Sequence, residues 1–412
     1  MISFNTYRLK NGLKLLHHYD SATQMVALNL LYDVGSRDED PATTGLAHLF
    51  EHLMFTGSKN APNYDAPLQA AGGTSNAWTN VDMTNFYETV PAHNVETAFW
   101  LESDRLLNLN LTEESISTQK SVVIEEFKQR CLNVPYGDLM HILSALSYKV
   151  HPYRWPTIGL KTDDIQNATD QQIRAFFQNH YAVNNLILCV SGHIDFEKAV
   201  ALTEKWFGDI EPRQIPLRSL PQEPKQTESR FKKVNRDVPN NVINMCYHMC
   251  GRGDSDYQVC DMLSDVLSNG PSSRFYQNVL LKSGLFTELD ASVSGTYDPG
   301  LFLIRARLAP EVSFDKAQKA IDNELKAFLS SGPTAYEIEK CANKYESNQL
   351  FETISYSQKA VKLCKYELLS EAEDVNREVD KYRSITPERL LSVASNLLKP
   401  ENCSILYYGP QA

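Results

Sequence analysis

The chain has 412 residues, 42% of them hydrophobic and 22% charged, with a net charge of -11 and a pI near 5.5. That length exceeds what one hydrophobic core usually organises, so two domains of about 200 residues each are expected. The acidic balance argues against nucleic acid and anionic membrane surfaces, because either would be repelled over most of the molecule.

From the N-terminus, Met1 leads into Ile2-Ser3-Phe4-Asn5-Thr6-Tyr7-Arg8-Leu9, which alternates like a strand and lacks a basic region followed by an apolar one. No later run approaches the ~20 apolar residues of a membrane span. The cytoplasm is therefore the expected compartment. Residues 25–34 and 86–90 read as strands, and residues 112–130, Asp170–His180 and Phe196–Phe207 as helices. The alternation predicts an α/β (α+β) fold. Pro212, Pro216, Pro221 and Pro224 stand among polar residues and stiffen a connector, which places the boundary there. The expected division is 1–210, a linker at 211–227, and 228–412.

The second half echoes the first. Leu30 to Asp38 is a strand running into a polar turn and then a helix, and Met245 to Cys250 followed by Gly251-Arg252-Gly253-Asp254 repeats the pattern. Laid over one another at that turn, His48, Glu51 and His52 of the first half match Ser264, Leu267 and Ser268 of the second. The eight cysteines include no Cys-x-x-Cys pair, so they suggest neither a zinc cage nor a disulfide framework. Cys246 and Cys250 read as core thiols of a strand.

The chemistry is concentrated in His48-Leu49-Phe50-Glu51-His52. On a helix, positions i and i+4 lie one turn apart on one face, so both imidazoles can reach one cation, with Glu51 at i+3 pointing the same way. The neighbours Leu46, Ala47, Leu49, Phe50, Leu53, Met54 and Phe55 predict a helix buried on every side. Two histidines and a carboxylate are costly there unless they serve one another or a metal. A hydrolytic zinc takes three protein ligands and leaves one position open. The third is sought on the 112–130 helix, which has Thr112 as N-cap and Ile116, Val123 and Phe127 as its apolar stripe. Glu126 falls on the buried flank, beyond Val122 and Val123, and Glu125 sits with Lys128 and Gln129 toward solvent.

His48-x-x-Glu51-His52 followed by Glu126 within Ser121-Val122-Val123-Ile124-Glu125-Glu126-Phe127 resembles the pitrilysin family of inverted zinc metallopeptidases, which includes insulysin and the mitochondrial processing peptidase. Gly72-Gly73-Thr74-Ser75-Asn76-Ala77-Trp78-Thr79 resembles the family's active-site edge strand, and Ser272-Ser273-Arg274-Phe275-Tyr276 the start of a helix in its second domain. The resemblance covers nearly the whole chain. It implies two homologous α/β domains of the mitochondrial processing peptidase type, each a mixed, mainly antiparallel sheet with helices packed on it. It also implies one zinc ion held by His48, His52 and Glu126, Glu51 as general base, and Asn76, Ala77 and Trp78 offering backbone to an extended peptide. The implied activity is endopeptidase cleavage inside a two-subunit chamber.

Two departures bear on that expectation. The family often has a glutamate seven residues before the metal-binding one, where this chain has Gln119. Active members usually have an arginine and a tyrosine that hold the substrate carbonyl, and here Leu281 and Phe286 stand near those places. The expected answer is a paralogous partner that supplies the pair, with a homodimer as second choice. A scaffold subunit without catalysis is the alternative.

Overall fold

The computed structural model describes residues 1–411. They form two compact units that do not follow the two halves of the chain. The first comprises Met1–Gln129, Trp155–Pro221 and Gln349–Asn376, and the second Arg130–Arg154, Gln222–Asn348 and Arg377–Ala412.

The first unit is built on a six-stranded sheet. Its strands are β1 (Asn5–Arg8), β2 (Lys14–Tyr19), β3 (Met25–Tyr32), β4 (Thr74–Thr79), β5 (Thr84–Pro91) and β6 (Leu186–Gly192), in the order β1-β2-β6-β3-β5-β4. Only β2 and β6 run parallel. The central strand β3 is Met-Val-Ala-Leu-Asn-Leu-Leu-Tyr, seven of its eight residues buried, as a strand covered on both faces requires. The strand stops at Tyr32, two residues short of expectation, where the turn into Gly35 begins.

Alternation divides the two faces of this sheet. Leu28, Leu30, Phe86, Leu188 and Val190 face a core completed by helices, among them Leu46–Leu53, Val95–Asn108 and Asp170–His180. The opposite face, with Asn29 bonded to Asn85 at 2.8 Å, is covered by the Tyr356–Leu369 helix, which lies against β2, β3 and β6. That helix comes from the far end of the chain.

The second unit repeats the plan with β7 (Arg230–Arg236), β8 (Val242–His248), β9 (Phe286–Val293), β10 (Leu301–Leu308) and β11 (Cys403–Pro410), in the order β7-β11-β8-β10-β9. Its parallel pair, β7 with β11, matches β2 with β6, and every other neighbour is antiparallel in both sheets. The expected echo is a repeat of strand order and sense. The Tyr257–Ser268 helix corresponds to Leu46–Leu53, and the Leu139–Ser147 helix from the first half packs against β7, β8 and β11. Gly251 to Asp254 is a turn, closed by the Asp254 N–H on the Gly251 carbonyl at 3.1 Å. Among the described residues no helix is long and apolar enough to cross a membrane.

Candidate metal centre

The helix carrying His48, Glu51 and His52, here α1 (Leu46–Leu53), has eight residues and enters from Gly45 at φ 93°. That left-handed angle suits glycine, and a Cβ at Gly45 would meet Ile165 Cδ1 at 2.9 Å and the Ile158 carbonyl oxygen at 3.0 Å. Leu46, Leu49, Phe50 and Leu53 point into the core, where the Phe50 ring stacks on Phe176 and Phe177 at centroid distances of 5.6 and 5.8 Å. Its neighbours predict a helix buried on every side, and the structure corrects this: His48 is buried, whereas Glu51 and His52 are half-buried. A polar strip stays open because the hydrophobic residues fill only the sides that meet the sheet and the Asp170–His180 helix.

The second contributor is the helix Glu113–Phe127. Thr112 caps it, accepting the Ser115 N–H at 3.1 Å, and Ile116, Val123 and Phe127 are buried as expected. Val122 is 44% exposed, so it does not belong to the buried flank. The phase of the helix is set by Val123 and Phe127, and Val122 falls on the next side round. Glu125 is exposed and pairs with Lys128 at 2.6 Å, and Glu126 is half-buried.

Glu126 Oε2 lies 3.2 Å from His52 Nε2 and 3.6 Å from His48 Nε2. One ligand atom from each of the three side chains lies within 4.8 Å of the others. Around a tetrahedral zinc bonded at 2.0–2.2 Å, donor atoms stand roughly 3.3–3.6 Å apart, so the two distances to Glu126 and the two-imidazole, one-carboxylate donor set fit such an ion. The two imidazole rings meet edge to face with centroids 4.8 Å apart. Glu51 adjoins this cluster on the same helix. Burial, and behind it the charge of Glu51, keeps the Tyr181 hydroxyl protonated far above the ordinary tyrosine range.

Asn76, Ala77 and Trp78 lie on β4, the edge strand of the first sheet, paired on one side with Tyr87, Phe86 and Asn85 of β5. The Ala77 N–H donates to the Asn76 side-chain oxygen at 2.8 Å, and the Lys365 ammonium lies 4.8 Å from the centre of the Trp78 ring. The strand starts after Gly73, where a Cβ would come within 2.6 Å of both Leu68 and Val90. Gln119 is half-buried on the helix that bears Glu126. In the second unit Leu281 is 59% exposed, and Phe286 is buried at the start of β9 within the second core. Arg274 is bound to Glu337 through Nε and Nη2 at 2.7 and 2.8 Å.

Sequence reasoning missed Glu39. It is buried at 6% exposure and accepts the N–H groups of Gly45 and Ala47 at the start of α1. A carboxylate in a loop carries no periodicity, so only the acid six residues before the N-cap Gly45 hinted at it.

Comparison with known proteins joins these observations. Residues 14–146 match the profile described as "Insulinase (Peptidase family M16)", and residues 167–345 the one described as "Peptidase M16 inactive domain". Zinc protease PqqE of Helicobacter pylori is 28% identical over 409 residues, covering 98% of this chain and 92% of that protein. An uncharacterized zinc protease of Streptomyces coelicolor is 26% identical over 401 residues, covering 95% of this chain and 86% of the relative. Among solved structures, a protease from Helicobacter pylori superposes with a TM-score of 0.94 at 27% identity, covering 99% of this chain and 100% of that one. The peptidase M16 inactive domain from Pseudomonas fluorescens matches with a TM-score of 0.89 at 18% identity over 100% of this chain and 98% of that one, which speaks to the fold alone.

Proposed function

The chain belongs to the pitrilysin family, peptidase family M16, and on that premise we propose that it is a zinc-dependent endopeptidase acting on extended peptides. The observation that carries the reading is the convergence of His48, His52 and Glu126 on one point beside Glu51. Those three side chains would hold the metal. Zinc in such a set acts as a Lewis acid and makes a coordinated water acidic near neutral pH. Glu51 accepts a proton on its carboxylate and returns it to the leaving amine, the role a half-buried carboxylate next to the ligands is suited to. β4 receives the substrate as an added strand through main-chain groups at Asn76, Ala77 and Trp78, a mode that tolerates many sequences.

The reading extends to a partner. Leucine and phenylalanine at 281 and 286 donate no hydrogen bond to a substrate carbonyl, and the loss of such a donor costs roughly a hundredfold or more in turnover. A paralogous subunit that brings an arginine and a tyrosine would complete the site and close a chamber, with the cytoplasm as the setting. Peptide cleavage by the chain alone, and with a co-purified paralogue, tests this; full activity alone removes the need for a partner.

A scaffold role is the second reading, favoured by Gln119, Leu281 and Phe286. Glu51→Gln separates the two. A peptidase keeps about one zinc per chain and loses about 10²–10⁴-fold in turnover, whereas a scaffold has no turnover to lose.

A further inference from the structure

Helix α1 is short for the task it carries. Eight residues have little intrinsic helical stability, so the direction of the helix is set by what grips its two ends. The second turn is gripped by Phe50 on Phe176 and Phe177. At the first turn the N-cap residue is Gly45, which has no side chain to offer and no room for one. Glu39 supplies the cap from outside: the Gly45 N–H donates to Oε2 at 2.8 Å and the Ala47 N–H to Oε1 at 2.9 Å. Both oxygens accept, so one carboxyl group satisfies two of the free N–H groups at the start of the helix.

This is a costly way to cap a helix. Burial pushes the Glu39 carboxyl up to about 8, against the pull of the Ala47 and Gly45 N–H groups. A buried charge is weak evidence for stability, and a serine or aspartate at a roomier N-cap would do that work at lower cost. What Glu39 adds is direction, since a two-point bond fixes both the height and the rotation of the first turn. His48 follows Ala47 immediately, and the reach of its Nε2 to Glu126 depends on that rotation.

We propose that Glu39 is a positioning residue for the metal centre: its carboxyl group, bonded at two points to the N-terminus of α1, holds His48 and His52 at the angle that meets Glu126. The assignment rests on the reading of those three residues as zinc ligands. Zinc titration of the metal-free full chain against a chromophoric chelator, together with the visible spectrum of the cobalt-substituted protein, tests it on wild type, Glu39→Gln and Glu39→Ala. Glu39→Gln keeps the size and one accepting oxygen but turns an amide toward an N–H group. It should weaken zinc about tenfold and shift the cobalt bands, and Glu39→Ala should do so more strongly. Asp104→Asn, which alters another buried carboxylate of the first unit, should lower the melting temperature and leave both readouts unchanged. If Glu39→Gln lowers only the melting temperature, with wild-type zinc affinity and cobalt spectrum, Glu39 is a structural cap and the proposal is overturned. If wild type itself binds no zinc, the ligand assignment fails and takes this one with it.

Discussion

Helices Leu46–Leu53 and Tyr257–Ser268 occupy the same place in two sheets of the same strand order, each following the inner strand β3 or β8 and preceding the edge strand β4 or β9. At the matching positions the first presents His48, Glu51 and His52, and the second Ser264, Leu267 and Ser268. Leu267 is fully buried in the second core, and both main-chain groups of Ala291 on β9 are bonded to the Ser268 hydroxyl at 2.8 and 2.9 Å. The second helix is thus stitched to its own edge strand. In the first, His52 turns instead to Glu126, and the Ala77 N–H on the edge strand β4 donates to the side-chain oxygen of its own neighbour Asn76. One architecture gives a closed face in the second unit and an open polar one in the first, and the difference rests on a few side chains along one helix.

Copying the second helix into the first should have the largest effect. His52→Ser should take the zinc content from about one ion per chain to nearly none and lower peptide turnover by at least about a thousandfold, because two ligands cannot hold a hydrolytic zinc. Metal analysis that still finds a full equivalent would break the comparison. The reverse exchange, Leu267→Glu, puts an unpaired carboxylate into a packed core and should cost about 3–5 kcal/mol in urea unfolding. A loss under about 1 kcal/mol would mean the second helix also has an open face.

A smaller difference concerns the loops between helix and edge strand. Each is anchored by a carboxylate held below its usual range although burial opposes it. Asp104 is held by Ser58, Asn108 and Asn60, and Glu337, lowered to about 2, by Arg274 and the Thr334 N–H. With its folded pKa below the unfolded value, Glu337 adds stability above pH ~4.5 that is lost as pH falls toward about 2. Glu337→Gln should therefore cost about 2 kcal/mol at neutral pH, the full shift being discounted for solvent screening, and nothing near pH 2. Added salt should shrink the Glu337 effect and spare Asp104→Asn, since only the former faces a guanidinium. Least of all, Ser268→Ala should cost about 1 kcal/mol and speed amide exchange at Ala291; unchanged exchange would show the stitch to be idle.

Much of this was legible because local rules and tertiary packing agree. Asp170–His180 begins at a capping box formed by Thr169 and Gln172, and its observed bounds are those expected. His48 and His52 announce themselves by spacing alone. The place of Glu126 beside them follows from helical phase, although Val122, half of that argument, lies in solvent. What was hidden depends on distance in the chain. The Cys364 thiol meets the Asn29 carbonyl across 335 positions, and no pattern in either segment marks the Tyr356–Leu369 helix as cover for β3. Glu39 was hidden for the opposite reason, since its partners are close in sequence but its role is set by the one backbone angle at Gly45.

That distant cover matters during synthesis. The last strand of the first sheet is complete at Gly192, yet the helix that seals its second face ends at Leu369. A ribosome adding 5–20 residues per second needs about 10–35 s to make up that difference, and the sheet stays bare on one side throughout. Nascent chains stalled before residue 356 should bind a hydrophobic dye that the finished protein excludes. Cutting the gene at the proline-rich connector would leave the first product bare on that face unless the second, which carries the Tyr356–Leu369 helix, is made with it.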